Sequence, residues 1–398
     1  MKKLSIITPT HNPQFLMNLK DSILENSFQN WEWIILLNNG AEYPTGPNTD
    51  KRIRVIQCPV NTDKIGALKK HACSYATGEI IVEVDHDDLI TSNCLQRVSD
   101  AFENNSVGFV YSDNAKLADK FIPYNPYWGW TWKYFDWKGR KLISMNSLPL
   151  TPGRLGFIWY APDHVRAWRK SVYDSIGGHN ENLEICDDLD LMHRLYMVTE
   201  FKYIPEVLYI YRITGNNTWL ERNKAIQEKT KELYHNNIYN LVDRFCKLNN
   251  LMKIDLCGGF NKPKDYISID TENGDIIADL NKGIPLQDNS CGVVRAYDAL
   301  EHLKSPINIM QEIHRVLAPG GLLLSRTPST DGRGAWQDPT HVSFWNENSF
   351  WYWLRPEQMK YIKNQNYKFY ESSLRTFFPS DWHKTNNISY VEANLEKI

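Results

Sequence analysis

Asp85-His86-Asp87-Asp88 follows an apolar run at residues 79–84, and these three crowded carboxylates are the groups in the 398-residue chain best suited to chemistry. At about 4 Å and an effective dielectric near 20, each pair of like charges costs roughly 4 kcal/mol. The cluster therefore recruits a divalent cation, is screened by solvent, or forms an acidic turn capping the helix expected over residues 93–103. Valine, isoleucine and alternation make residues 79–84 a strand, and Gly78 ends the helical pattern before it. The carboxylates then sit at a strand's carboxyl end, where open α/β sheets bind ligands. A second acidic pair, Asp187-Asp188, opens a helical stretch carrying Leu189, Leu191 and Leu195. Read alone, it is a solvated first turn favoured by the helix dipole.

The elements that must position these acids alternate. Residues 4–8 read as a strand, 15–28 as an amphipathic helix, 33–37 as a buried strand, 65–76 as a helix and 107–111 as a strand. Such a rhythm predicts a largely parallel, doubly wound sheet with right-handed crossovers. Residues 221–250 are charged, lack glycine and proline, and read as a bridging helix or helix pair. Beyond them the rhythm restarts, with strands expected at 252–257, 266–269, 293–296 and 322–325, and a helix over 307–317 stopped by Pro319-Gly320-Gly321. The chain thus divides into an amino-terminal domain (1–218), a helical linker (219–251) and a carboxyl-terminal domain (252–398).

A net charge of −2 supplies no basic field for nucleic acid. Seven scattered cysteines, an odd number without CxxC spacing, point to free thiols and a cytoplasmic location rather than a zinc knuckle. No apolar stretch approaches the ~18 residues of a membrane span, and no signal peptide is expected.

Ser5-Ile6-Ile7-Thr8-Pro9-Thr10-His11-Asn12, Ala76-Thr77-Gly78-Glu79, the acidic cluster, Ile176-Gly177-Gly178-His179-Asn180-Glu181, Asp187-Asp188-Leu189-Asp190-Leu191 and Arg194 occur in an order that resembles the family 2 glycosyltransferases of the GT-A fold. The resemblance covers roughly the first 215 residues. It implies an inverting transfer from a nucleotide-sugar donor, UDP-linked, to a saccharide or glycan acceptor. Thr8, Pro9, Asn39, Asp85 and Asp87 would then contact the donor, with Asp87 and Asp88 holding Mn²⁺ or Mg²⁺, whose hard oxygen preference they match. Asp188 resembles the general base, with Asp187 the second candidate. The chain departs from the family in three places: Asn38-Asn39-Gly40 replaces an acid, Lys69 or Lys70 replaces an arginine, and Thr214 replaces a metal-binding histidine for which His164 is a substitute. Between the motifs lie Tyr124, Tyr127, Trp128, Trp130, Trp132, Tyr134, Phe135 and Trp137, continued by Trp159, Tyr160 and Trp168. These aromatics are either core, with Trp128, Trp130 and Trp132 on one strand face, or an acceptor platform led by Trp128, Trp130 and Trp159.

A second resemblance begins at Asp255-Leu256-Cys257-Gly258-Gly259 and continues through Asp270, Ala278-Asp279-Leu280, Ala299-Leu300-Glu301-His302-Leu303 and Glu312-Ile313-His314-Arg315-Val316-Leu317-Ala318-Pro319-Gly320-Gly321. It is similar to the Rossmann-like class I S-adenosylmethionine-dependent methyltransferases. The resemblance implies that Asp255, Gly258, Gly259, Asp270 and Asp279 line the S-adenosylmethionine site, and that the chain is a bifunctional enzyme methylating a sugar or glycan. An alternative keeps the second domain as a docking module, and another makes the whole chain a carbohydrate-binding scaffold. The interval between Cys257 and Tyr266 is too short for a crossover helix of ~10 residues. Asp338 and His341, after the last motif strand, either cap a turn or lie where methyl acceptors bind.

Overall fold

The computed structural model describes residues 2–44, 50–59, 61–124, 128–215, 217–363 and 367–398, so Tyr127 falls outside the described residues. The chain forms two compact units, one of residues 1–150 and 158–236, the other of residues 151–157 and 237–398.

The first unit runs β1 (Leu4–Thr10), α1 (Leu16–Leu24), β2 (Trp31–Leu37), β3 (Ile53–Gln57), α2 (Ile65–Ser74), β4 (Ile80–Glu83), β5 (Leu89–Ile90), α3 (Cys94–Ala101), β6 (Val107–Leu117), β7 (Trp132–Trp137) and β8 (Arg140–Met145). The short helix α4 (Pro152–Phe157) belongs to the other unit; β9 (Arg166–Arg169), α5 (Lys170–Ser175), α6 (Asp187–Tyr196), β10 (Glu200–Arg212) and α7 (Thr218–Glu221) then complete the first. Helix α8 (Asn223–Asn249) supplies residues to both.

Among the described residues the sheet has ten strands in the order β3-β2-β1-β4-β9-β6-β10-β5, with the β7–β8 hairpin paired to β6. Strands β1 to β4 are mutually parallel. The apolar runs of β1, β2 and β4 are buried on both faces, whereas β3 at the sheet edge is buried only at Ile53. The expectation of a largely parallel sheet fails beyond β4, because β9 inserts antiparallel to both β4 and β6. The chain order reverses between β1 and β4, and the strand ends there open the crevice that such a switch creates.

The second unit carries β11 (Met252–Leu256), β12 (Ile267–Asp270), β13 (Ile276–Ile277), β14 (Cys291–Tyr297), α9 (Pro306–Val316), β15 (Leu317–Pro328), α10 (Gly334–Gln337), α11 (Glu347–Leu354), α12 (Pro356–Met359), β16 (Phe369–Phe377), α13 (Asp381–Thr385) and β17 (Tyr390–Lys397). Its sheet order is β13-β12-β11-β14-β15-β17-β16, parallel up to β15 and antiparallel at β17. Here too the order reverses, between β11 and β14. Only a three-residue turn of 3-10 helix, Gly259–Asn261, stands between β11 and β12, as the short interval requires. Pro319-Gly320-Gly321 lies inside β15 rather than ending α9 in a turn; the pairing jumps from Leu317 to Leu322 against Cys291 and Val293, and Gly320 takes φ +80°.

Candidate active sites

In the first unit a cleft of about 1060 Å³ opens at the carboxyl ends of β1 and β4. Pro9, Asn39, Lys69, the Asp85–Asp88 cluster, Trp159, His164, Arg166, Asp187 and Asp188 all line it. One fold feature thus gathers residues separated by a hundred positions.

The three acids of the cluster have different fates. Burial, reinforced by Glu83 and Asp87 against the pull of Lys69, pushes Asp85 up to about 7. Asp87 lies half-buried beside it. Asp88 is buried, one oxygen accepting the Tyr209 hydroxyl at 2.8 Å and the other the Arg212 backbone N–H at 2.6 Å. With one hydrogen bond to each oxygen, Asp88 ties the acidic turn to β10 while still lining the cleft.

Asp187 and Asp188 separate in the same way. Asp187 is buried, with Lys69 Nζ 3.1 Å from its Oδ2 and 2.7 Å from Glu83. Burial pushes the Asp187 carboxyl up to about 6 although Lys69 opposes the shift. Asp188 pairs with the Arg166 guanidinium and accepts the Leu189 N–H at 2.8 Å. Burial works against its charge, yet Arg166 and Lys69 prevail and hold its carboxyl below the usual range. Asp188 is therefore a fixed carboxylate on the cleft wall. Asp187 belongs to a buried three-membered ion cluster.

Of the two lysines that stand where an arginine was expected, Lys69 turns inward while Lys70 pairs outside with Glu181 at 3.1 Å. His164 stacks on Tyr209 at 4.7 Å, with Nε2 3.8 Å from Asp85 Oδ2. Burial, with Arg166 and Lys69 nearby, holds it well below its ordinary pKa and therefore neutral. Its buried Nδ1 has no hydrogen-bond partner.

Several expected contacts lie elsewhere. Thr8 is fully buried, donating to the Val84 carbonyl at 2.8 Å and accepting Trp33 Nε1 at 2.9 Å, so it braces β1, β2 and β4 instead of meeting a ligand. Trp128 and Trp130 stay out of the cleft wall, and the three tryptophans do not share a strand face, because β7 begins only at Trp132. Trp130 is buried and stacks on Tyr160 at 5.4 Å. It supports the wall that Tyr124, Trp159 and Tyr160 present. Arg166, which sequence reasoning missed, opens β9 (Arg-Ala-Trp-Arg), where nothing local distinguishes it from Arg169.

In the second unit a pocket of about 340 Å³ is lined by Cys257, Asp270, Thr271, Ala278, Asp279, Leu280, Asn281, Asp298, His302 and Leu303. Asp270 ends β12 and Asp279 caps the turn at Leu280, its Oδ1 accepting the Asn281 N–H at 3.0 Å. Asp255 is instead fully buried, with Arg295 at 2.8 and 2.9 Å from its two oxygens, which corrects its expected cofactor contact. Gly258 and Gly259 are not among the lining residues. A Cβ on Gly258 would stand 2.1 Å from Asp255 Oδ2, and Gly259 takes φ +45°. Their small size is thus required by the buried acid and the turn.

Residues 5–158 match the model of Glycosyl transferase family 2, and residues 243–325 match that of a methyltransferase domain. Glycosyltransferase GlyG of Streptococcus pneumoniae serotype 4 is 23% identical over 219 residues, covering 52% of this chain and 70% of that protein. The UDP-Glc:alpha-D-GlcNAc-diphosphoundecaprenol beta-1,3-glucosyltransferase WfgD of Escherichia coli is 24% identical over 128 residues, 30% of this chain and 50% of that protein. The crystal structure of S. aureus TarS 1-349 aligns at 14% identity with a TM-score of 0.41, covering 62% of this chain and 73% of that one.

Proposed function

From a chain that joins a family 2 glycosyltransferase domain to a methyltransferase domain, we propose an inverting, divalent-metal-dependent transfer of a sugar from a UDP-linked donor to a glycan acceptor, with methyl transfer from S-adenosylmethionine in the second unit. The observation that carries the first activity is Asp188, kept ionised by Arg166 in the same cleft as Asp85 and Asp87. In this reading Asp188 takes the acceptor hydroxyl proton as that oxygen attacks the anomeric carbon. The bond to the diphosphate oxygen breaks, and the leaving group keeps its electron pair. A single displacement inverts the centre.

Asp85 and Asp87, with neutral His164 alongside, would hold Mn²⁺ or Mg²⁺, which supplies charge neutralisation for the diphosphate. Two features support the fit: Asp85, partly exposed to the cleft, lies beside the like charges of Glu83 and Asp87, and His164 Nδ1 is an unpaired buried atom. Asn39, whose backbone N–H donates to Asn61 Oδ1 at 3.1 Å, lines the cleft and in this reading would contact the donor. Trp159 and Tyr160 offer faces for the C–H surfaces of an acceptor sugar. The UDP linkage takes support from the donor in WfgD's name. A cytoplasmic location accords with the free thiols of Cys73, Cys94, Cys186, Cys246, Cys257 and Cys291.

In the second unit Asp270 would accept the ribose hydroxyls of S-adenosylmethionine and Asp279 would face the adenine, the group supplying an electrophilic methyl when bound. The fit rests on acids at the end of β12 and beside Leu280 in one pocket. The missing crossover helix favours a second reading, in which this unit only docks.

Incubation with a panel of nucleotide sugars, Mn²⁺ and saccharide acceptors, read by product mass and nucleoside diphosphate release, tests the first activity. Transfer that stops in chelator is the expected result. Transfer unaffected by chelator removes the metal from the mechanism, and no turnover with any donor favours the scaffold reading. Calorimetry with S-adenosylmethionine tests the second: micromolar binding, about −8 kcal/mol, is expected and should weaken in Asp270→Ala.

A further inference from the structure

We propose that Glu301, His302 and His341 form a binding site for one divalent transition-metal ion, of the zinc class, at the wall of the second unit's pocket. Each residue offers one ligand atom, and these atoms lie within 4.8 Å of one another, the only such group of three among the described residues. Ligands bound at about 2.0–2.2 Å stand roughly 3–4 Å apart, so small side-chain rotations close the set.

A second observation is independent of this spacing. Glu301 is 2% exposed, and neither carboxylate oxygen meets a donor in good hydrogen-bond geometry, the Thr327 hydroxyl and the residue's own backbone N–H being the donors nearby. The neighbouring charges are Asp298 and Asp338, which share its sign. Buried polar atoms almost always find partners, and an acid that finds neither donor nor cation requires an explanation. A bound cation supplies it.

The backbone fixes the arrangement before any ion arrives. Glu301 and His302 sit on the 3-10 turn Leu300–His302, just after β14. The loop bearing His341 is fastened to that turn, with the Val342 and Ser343 N–H groups donating to the Glu301 carbonyl at 2.8 and 3.0 Å and the Ser343 hydroxyl to the Leu300 carbonyl at 2.8 Å. His341 Nδ1 lies 2.9 Å from the Ala335 carbonyl, which places the proton there and leaves Nε2 as a lone-pair donor. His302 Nδ1, 3.3 Å from the Thr340 carbonyl, is oriented in the same sense.

Two imidazoles and one carboxylate suit zinc, cobalt, nickel or ferrous iron, and suit calcium or magnesium poorly. Three protein ligands leave a coordination position for water or an exchangeable oxygen ligand. Because His302 also lines the pocket with Asp270 and Asp279, the ion would stand beside whatever that pocket holds. The site is distinct in residues and ligand chemistry from the oxygen-rich cluster at Asp85 and Asp87.

Cobalt titration of the chelator-stripped full-length protein tests this directly, since Co²⁺ in a low-coordinate nitrogen-containing site absorbs strongly in the visible and in an octahedral oxygen site only weakly. One equivalent should develop strong bands that Zn²⁺ bleaches, with affinity falling at least about tenfold in Glu301→Gln, His302→Ala and His341→Ala. The bands should survive Asp87→Asn. Zn²⁺ should raise the melting temperature of the wild type but not of His302→Ala, whose half-exposed position spares the core if the other variants fold poorly. Absence of the bands, their persistence in all three variants, or their loss in Asp87→Asn would each overturn the assignment.

Discussion

Two neighbouring aspartates, Asp187 and Asp188, occupy one helical turn yet acquire opposite protonation tendencies, because one faces the interior beside Lys69 and Glu83 and the other faces Arg166 on a cleft wall. If Asp188 is the base, Asp188→Asn should lower turnover by about 10²–10⁴-fold while donor binding stays nearly unchanged. Asp187→Asn should instead cost stability, on the order of 1–3 kcal/mol, by loosening the Lys69 cluster, with a smaller effect on turnover. Steady-state kinetics together with urea unfolding of both variants separates the two roles. A dead Asp187→Asn beside an active Asp188→Asn would reverse the assignment.

Among the elements, β2 shows how one polar residue in an apolar strand sets register. Glu32 accepts from the Ser5 hydroxyl at 2.6 Å, the Thr77 N–H at 2.6 Å and the Thr77 hydroxyl at 2.9 Å, with Lys3 and Arg54 at 3.1 and 3.3 Å. Burial opposes its charge, but the Ser5 and Thr77 hydrogen bonds hold its carboxyl down at about 2 against an ordinary value of 4.5. A depressed folded-state pKa contributes stability that is present above the unfolded value and lost as pH falls toward the folded one. The difference in unfolding free energy between the wild type and Glu32→Gln should therefore be full above about pH 4.5 and shrink as the pH is lowered toward 2, which denaturant melts across that range will follow. A constant difference would mean that Glu32 acts through packing alone. Upstream of α6, the Gly177-Gly178 turn is clamped by Arg194, which donates to the Gly178 carbonyl at 2.6 Å and pairs with Asp190 at 2.6 Å. Gly178 takes φ +70°, and a Cβ there would stand 2.7 Å from the Tyr173 ring. Gly178→Ala should cost about 1–3 kcal/mol in the same melts and lower turnover by shifting the helix that carries Asp188.

At the scale of the whole molecule, residues 151–157 complete the second unit although they lie in the middle of the first unit's sequence. Arg154 Nε is 3.2 Å from Glu396, a fully buried residue on β17, and the Thr151 hydroxyl donates to the same carboxylate at 2.7 Å. A fragment beginning near residue 221 would retain Glu396 and lose both partners. Removing one side of a buried ion pair costs about 3–5 kcal/mol, so that fragment should be far less stable than the unit within the full chain, and Glu396→Gln should recover part of the loss. Thermal melting of the fragment with and without this substitution checks the point. Equal stability of the two would show that the segment is dispensable.

How much of this was legible in the sequence follows from the range of the interactions involved. The strand ending at Asp85, the helix opening at Asp187, the absent crossover helix after Cys257 and the long helix over 223–249 are written in local periodicity, glycine placement and counting, and the structure carries all four. The motif order was enough to carry both family resemblances, because their apolar patterns and turn glycines are short-range signals. Which acids face a ligand was not legible. Asp88, Asp187 and Asp255 carry the same side chain as Asp87, Asp188 and Asp270, and only partners far away in sequence, Tyr209, Lys69 and Arg295, bury and engage them. The antiparallel insertion of β9, the removal of Trp130 from the cleft wall and the loan of residues 151–157 to the second unit likewise arise from long-range packing. A carboxylate's role depends on what desolvates and neutralises it, and in this protein those groups come from strands and helices that sequence spacing does not bring together.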